Sequence, residues 1–339
     1  MIGIALLGAG FAGKRQLQCW QRVPNARVVG LWNRTPDKAR ALAADTGVTF
    51  FADLQTLLCQ PGVDAVDIAT AFQTHLDFTR QAAAHGKHVL CQKPMESTYA
   101  ESEAMVGACE QAGVRLMINE NFRWRPWYAL AKSVLASGAL GTLFHLRLIF
   151  RDSLVVATPE APLGQLVIDE PSLRNEERLV LLDMGPHQFD LVRYLFGEPE
   201  SVFARVHKLT PHVAGEEVAT VLLGYQGRTA VVECSFASVG YPRGIQTDEM
   251  VIEGLDGTLY LGADGQLTLR RRLSGEEPIA VDCADYKLRT WTATLAHFTQ
   301  CLEEGTPFAT DGRDYLKTMR LVFAAYESAE RGVPVLVDG

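Results

Sequence analysis

The sequence contains no basic run. Its 339 residues hold 40 Asp and Glu against 32 Lys and Arg, a formal net charge of −8, which leaves no positive footprint for a nucleic acid and argues against one as partner. It also contains no apolar stretch long enough to cross a bilayer; "MIGIALLGAGFAG" comes nearest, and glycine interrupts it early. That stretch lacks the basic leader and small-residue cleavage site of a signal peptide, so a cytoplasmic location away from membranes is expected. Cysteine occurs seven times, an odd number, and nowhere as C-x-x-C. This argues against a disulfide frame or a zinc ribbon and predicts buried or idle thiols in a reducing compartment, with no metal site. Repeats and low-complexity tracts are missing as well. What is present is an apolar fraction of 47% in a chain long enough for two domains with sizeable cores.

The chain has two rhythms. Short, mostly continuous apolar runs at 2–7, 27–32, 63–69, 88–91 and 114–118 alternate with helical patterns at 14–22, 36–45, 74–85 and 97–111. Such alternation predicts right-handed crossovers and a parallel sheet covered on both faces. From about Phe144 the pattern changes to strands joined by turns. "GYQGR", "LDGT" and "ADGQ" are hairpin signals, their Asp-Gly pairs expected to supply positive φ. They join strands at 220–223, 230–234, 250–253, 258–261 and 267–271 of an antiparallel sheet. Two closing helices carry the stripes Leu288, Trp291, Leu295, Phe298, Leu302 and Tyr315, Met319, Val322, Tyr326, both read as core faces. The expected boundary divides residues 1–121 from 122–339, with the terminal helix able to pack back on the first domain.

"GAGFAG", Gly8 to Gly13, follows a strand and opens a helix, the context in which a glycine pattern binds a dinucleotide. Gly8 permits the tight turn, Gly10 lets backbone approach a pyrophosphate, and Gly13 lets helix and strand pack closely. Phe11 and Ala12 place their N–H groups at the same helix mouth. About twenty residues further on, where an NAD enzyme carries an acidic residue for the ribose, stand Asn33 and Arg34. Loss of the carboxylate removes repulsion against a 2′-phosphate, and a guanidinium can pair with that phosphate. NADP is therefore the expected cofactor; NAD held through the Asn33 amide, with Arg34 merely solvated, is the alternative.

Two further stretches carry chemistry. In "VLCQKPMEST", Lys93 stands between an apolar strand and a proline, at the carboxyl edge where parallel sheets bind ligands. In "LLDMGPHQFDLVRYLFG", residues 181–197, Phe189, Val192, Leu195 and Phe196 define one side of an amphipathic helix and Gly197 its stop. Pro186 suits the first turn, and Asp183 or Met184 the cap. An imidazole, His187, then lies one turn after a carboxylate. It is either a stray histidine on a capped surface helix or a group placed for proton transfer.

"GAGFAG", "GKHVLCQKP", "NFRWRP" and "DMGPHQFD" stand in the order and spacing of the Gfo/Idh/MocA oxidoreductases, which include glucose–fructose oxidoreductase and inositol dehydrogenase. "AAYESAERGVPVLV" resembles their closing helix and strand. The resemblance spans almost the whole chain. It implies an α/β fold with an N-terminal Rossmann domain, then an α+β domain whose open, mainly antiparallel sheet joins subunits into a homodimer or homotetramer. It implies hydride transfer between NAD(P) and a hydroxyl or carbonyl carbon of a sugar, a cyclitol or a related small molecule. Lys93 matches the lysine of the family's Glu-Lys-Pro signature, Asp183 and His187 its D-x-x-x-H segment. Thr70 and His75 resemble the stretch beside the cofactor, and Asn121 a residue lining the nicotinamide or substrate side. Gln92 replaces the usual Glu and would lie beside the cofactor without its charge. The segment before Asp183 lacks the family's Gly-Gly run.

These residues suit oxidation of an alcohol. A base must take the hydroxyl proton as the carbonyl forms; a helix N-terminus favours the neutral imidazole, while Asp183 pulls the other way and can orient the ring. Lys93 would stabilise the alkoxide-like charge. Gly185 would keep the approach to the pocket free of side chains. Arg123, Arg125, Arg151, Arg174 and Arg178 read as surface charges more readily than as ligands for an anionic substrate, and Trp124 and Trp127 as core at least as readily as a sugar platform. A cofactor-sensing regulator would need the glycine loop but not Lys93, Asp183 and His187 together. A further alternative recycles the cofactor within each turnover, giving net hydrolysis or isomerisation of a glycoside.

Overall fold

The computed structural model describes residues 1–169, 171–240, 248–273 and 275–337. The chain forms two compact units, one from Met1–Trp124 with Asp285–Met319, the other from Arg125–Ala284 with Arg320–Gly339.

In the first unit β1 (Ile2–Leu7), α1 (Phe11–Trp20), β2 (Ala26–Trp32), α2 (Pro36–Thr46), α3 (Leu54–Leu58), β3 (Ala65–Ile68), α4 (His75–Ala84), β4 (His88–Cys91), α5 (Tyr99–Gln111) and β5 (Leu116–Ile118) alternate as the apolar runs require. The five strands pair in parallel in the order β2-β1-β3-β4-β5. The chain leaves β1 for one side and returns for β3 on the other, so a crevice opens at their carboxyl ends. Burial on both faces explains the continuous apolar strands: Ile4, Leu90 and Met117 pack with Trp20 and with Leu295 and Phe298 of the helix Tyr286–Glu304, and Leu6, Leu31 and Leu17 pack with Ala39 and Leu42 of α2. The 288–302 stripe is a core face, as its spacing predicts.

A carboxyl group lies between these apolar layers. Asp67 of β3 is fully buried, accepting from Trp20 Nε1 at 2.7 Å and Gln16 Nε2 at 2.8 Å. Burial pushes its carboxyl up to about 7, against the pull of the two hydrogen bonds. With the folded value raised, the stability the group contributes is complete in acid and is lost as pH rises through about 7. The loss is about 4 kcal/mol at most, at about 1.4 kcal/mol for each pH unit that separates the folded from the unfolded titration. Gln16 Oε1 has no partner among the described residues. The amide that Asp67→Asn introduces can therefore accept from Trp20 and donate to a turned-over Gln16 side chain. Asp67→Asn should flatten the fall in melting temperature between about pH 4 and pH 7 and raise melting above neutrality. Parallel melting curves for the two proteins across that range would count against the buried charge.

The second unit carries α6 (Pro126–Ala136), β6 (Leu143–Arg151), α7 (Gln165–Asp169), α8 (Val180–Asp183), α9 (Gly185–Phe196), β7 (Ser201–His207), β8 (Val218–Tyr225), β9 (Arg228–Ser235), β10 (Asp248–Gly254), β11 (Gly257–Leu261), β12 (Leu267–Arg271) and β13 (Gly275–Ile279). Its sheet runs β13-β12-β11-β10-β6-β9-β8-β7-β14, the last strand being Val335–Leu336. All pairs are antiparallel except β6–β9, so the sheet is mixed where its hairpin turns suggest a uniform one. β6, "LFHLRLIFR", mixes apolar residues onto both faces, which hides its period in the sequence. The hairpin glycines also differ from expectation. Gly227 and Gly265 have positive φ, but Gly257 does not. A Cβ on Gly257 would stand 2.8 Å from Arg270 O, so close strand approach, not turn geometry, requires glycine there.

The two closing helices are α10 (Tyr286–Glu304) and α11 (Gly312–Arg331). α11 contributes residues to each unit, and Tyr315, Met319 and Val322 of its stripe are fully buried. On the sheet face opposite the buried Leu146, Leu148, Val232 and Ile252, a register row of Phe203, Leu222, Val231, Arg147, Val251 and Tyr260 remains partly exposed.

Candidate active site

The three glycines of the first loop play three different steric parts. Gly8 has φ 115°, and a Cβ there would meet Ala69 O at 2.3 Å; a Cβ on Gly13 would meet Gly8 O at 2.1 Å. Gly10 has nothing within 4 Å of the equivalent position. The first glycine makes the turn, the third presses helix to loop, and the second leaves space where a ligand can lie on backbone. α1 has no side-chain cap and no acidic residue in its first turn, so its opening amides at Phe11 and Ala12 favour an anion. This loop fits the diphosphate of a dinucleotide.

Asn33 is tied into the same loop. Its Oδ1 accepts from Ala9 N at 3.1 Å and its Nδ2 donates to Thr35 O at 2.9 Å. The side chain bridges β2 to the glycine turn, while Arg34 beside it is exposed.

At the carboxyl ends of β3 and β4, Thr70 Oγ1 lies 2.8 Å from Thr74 Oγ1. His75 is buried, with Nδ1 at 3.0 Å from Pro94 O and 3.2 Å from Met95 O, and Nε2 at 3.3 Å from Thr70 O. Burial lowers its ring to about 4, outweighing these carbonyls, so it is neutral at physiological pH. Both ring nitrogens face backbone oxygens, which makes His75 a brace between the Thr70 loop and the turn after Lys93. Glu96, buried in that turn, accepts from Leu76 N at 2.8 Å and Ser97 N at 3.1 Å, joining the same two segments again. Lys93 itself is half-buried. Gln92, its neighbour, is 7% exposed, and its Nε2 has no hydrogen-bond partner among the described residues. Asn121 is buried. Sequence reasoning passed over Asn119, which is 1% exposed with neither amide atom partnered among the described residues. Its N–H donates to Cys91 O at 2.7 Å, which sets it beside Gln92. An amide directly after a buried strand at the crevice was the available signal.

The helix mouth decides between the alternatives the sequence left open. Met184, one of the two cap candidates, stands at the start of α9 and makes no side-chain cap bond. Asp183 closes α8. α9 is no surface helix: every residue but Tyr194 is buried, because α6 and the strands β6 and β9 of its own unit pack against it. His187, 6% exposed, is thus no stray surface histidine. The Cβ position of Gly185 faces Phe189, Val322 and Leu181 at 3.4–3.8 Å, so this glycine looks into the core and does not clear a path for substrate.

The other candidates resolve into packing. Trp127 is fully buried and Trp124 packs against the α10 cluster. Arg123 donates to Ala309 O at 2.9 Å, Arg151 pairs with Glu233, and Arg178 stacks over Phe323 and Tyr326 at 5.6 and 5.1 Å. Arg125 is no surface charge: it pairs with buried Asp248, which also accepts from Tyr128 Oη at 3.1 Å. All seven cysteines are free thiols, and burial raises Cys91, Cys109 and Cys234, which makes them unreactive. Among the described residues no group of His, Cys, Asp or Glu is arranged to hold a metal, and no helix is long and apolar enough to cross a membrane.

A five-stranded parallel sheet with this glycine loop, followed by an α+β unit, defines an NAD-binding Rossmann oxidoreductase. Residues 2–120 match the oxidoreductase family with an NAD-binding Rossmann fold named GFO/IDH/MocA, and residues 128–260 match a C-terminal domain of that family. The chain belongs to the Gfo/Idh/MocA oxidoreductases. It is similar to D-apiose dehydrogenase of Paraburkholderia graminis, 35% identical across 97% of this chain and 88% of that protein. It is also similar to D-apiose dehydrogenase of Rhizobium rhizogenes, 33% identical across 97% and 95%. Among solved structures, an oxidoreductase from Agrobacterium radiobacter in complex with NAD+, L-tartaric acid and magnesium has a TM-score of 0.90 and 31% identity, over 99% of this chain and 98% of that one.

Proposed function

We propose that this dehydrogenase moves a hydride between NADP and a hydroxyl-bearing carbon of a sugar or cyclitol, with His187 as proton acceptor and Lys93 as oxyanion stabiliser. The observation that carries the reading is Lys93, half-buried at the carboxyl edge of the sheet whose glycine loop fits a dinucleotide. The nicotinamide, when bound, supplies the hydride acceptor. His187 takes the hydroxyl proton at a ring nitrogen, Asp183 orients the ring, and the Lys93 ammonium holds the oxygen as charge develops on it. Gln92, Asn119, Asn121, Thr70 and the His75 brace shape the cofactor side. The names of the similar proteins make D-apiose the first substrate to test. A panel of D-apiose, other sugars, cyclitols and sugar acids with NAD and NADP, read by absorbance of the reduced cofactor, tests the proposal. Steady accumulation of reduced cofactor supports it and excludes internal recycling; silence across the panel favours a cofactor sensor.

The preference for NADP rests on exposed Arg34 and on the absence of a carboxylate at Asn33. Arg34→Ala should weaken NADP far more than NAD, because only NADP loses a charge-assisted pair worth about 1.5–3 kcal/mol. Equal losses in cofactor titrations would show that the arginine does not read the phosphate. Asn33→Asp should favour NAD, though it also gives up the donor to Thr35 O.

The half-exposed row from Phe203 to Tyr260 supports a homodimer or homotetramer closed through that sheet face. Sedimentation should show an oligomer at micromolar concentration; Leu222→Lys, at a residue 44% exposed, should dissociate it with melting little changed. A monomeric parent protein overturns this assembly.

A further inference from the structure

A segment that no motif marks holds the helix mouth. The chain at 214–217 runs against 174–181: Ala214 N donates to Arg174 O at 2.8 Å and Val180 N to Glu216 O at 3.1 Å. The Glu216 carboxylate, buried at 6% exposure, accepts from Leu179 N at 3.1 Å and Leu181 N at 3.0 Å. Tyr326 of α11 donates its hydroxyl to the same carboxylate at 2.7 Å. Gly215 permits this approach, since a Cβ there would stand 2.7 Å from Leu179 Cβ and 2.8 Å from Glu176 O.

α8 is four residues long, too short to hold its own shape. Two of the amides that open it are satisfied only by Glu216 among the bonds described. α8 ends at Asp183, and after Met184 the next helix begins, with His187 its third residue. Nothing between them can absorb a displacement, because Leu181, Leu182, Met184 and Gly185 are all buried.

We propose that Glu216 is a positioning residue for the reaction: locked by Tyr326 and admitted by Gly215, it fixes α8 and through it the placement of Asp183 and His187. This rests on the catalytic assignment of His187 made above. A carboxylate suits the task because it accepts from two amides and a hydroxyl at once, without the donor that an amide would turn against one of them. A misplacement of about 1 Å at a reacting group can cost about a hundredfold in rate, so the anchor matters beyond its hydrogen bonds.

The test uses the full chain with Glu216→Ala, Glu216→Gln, Tyr326→Phe, His187→Ala and the pair His187→Ala with Glu216→Ala. Steady-state kinetics are run on the substrate found in the panel. Histidine-selective ¹⁵N spectra over pH, with the His187 signal assigned by its loss in His187→Ala, need no substrate. Glu216→Ala should lower kcat about 10–100-fold with KM within about threefold, and should move the His187 titration. Glu216→Gln, which keeps an acceptor for Leu181 and Tyr326, should recover most of both. Adding Glu216→Ala to His187→Ala should cost less than about threefold more, since the group being placed is gone. A folded Glu216→Ala protein with parental kcat and an unmoved His187 signal overturns the proposal, and so does full additivity. If Glu216→Ala does not fold, Tyr326→Phe decides: a fall of about 3–10-fold in kcat and a moved His187 signal support the anchor, and parental values for both overturn it. Parental turnover in His187→Ala instead removes the catalytic assignment itself, a separate result.

Discussion

Replacing His187 with alanine should lower turnover by about 10²–10⁴-fold, the range for losing a general base. Dinucleotide binding should stay near that of the parent, because the glycine loop belongs to the first unit and His187 to the second. The ring sits in the first turn of α9, and Asp183 closes the helix before it. A competing role is packing, since α9 is a core helix. Packing predicts a lower melting temperature and turnover within a few-fold of the parent. Kinetics, cofactor titration and a melt on one preparation separate the two, and parental turnover with a normal melt would falsify the catalytic assignment. Asp183→Asn should cost less and shift the pH profile, because it misorients the ring without removing it.

Lys93→Ala should cost as much or more, for it removes the positive charge from the developing oxyanion. The loss should appear in kcat, with the cofactor's dissociation constant little changed, since on the proposed reading the backbone of the glycine loop, not Lys93, would hold the diphosphate. The surroundings of Lys93 are rigid. His75 spans from Thr70 O to Pro94 O and Met95 O, and Glu96 caps α4 from the same turn. An alanine at 93 therefore leaves the loop braced while the side chain and its ammonium are removed. Combined with His187→Ala, the loss should fall well short of the product of the two single losses if both groups serve one transition state. Complete additivity would separate their roles. Lys93→Arg should recover little, because a planar guanidinium does not present the compact charge of an ammonium.

The sequence alone determined whatever local sterics and periodicity control. The parallel unit followed from apolar runs alternating with helical spacing. The glycine loop followed from three residues: close backbone neighbours leave no room for a Cβ at Gly8 and Gly13, while the space at Gly10 is open. Its unpaired thiols followed from count and spacing. Tertiary structure alone decided what depends on partners distant in sequence. That α9 is buried on nearly every side depends on the sheet and on α11, not on its own stripe. That Gly185 looks into the core depends on Val322, and the parallel β6–β9 pair on strands more than eighty residues apart in register. Asn119 stands out only when its strand is seen ending beside Gln92. Glu216 is the sharpest case: nothing near it in the sequence distinguishes it from Glu217, yet Glu216 binds the amides before Asp183 while Glu217 holds Thr210 N at 2.8 Å. Successive side chains in extended backbone leave on opposite faces, so two identical residues acquire different work once the chain is folded around them.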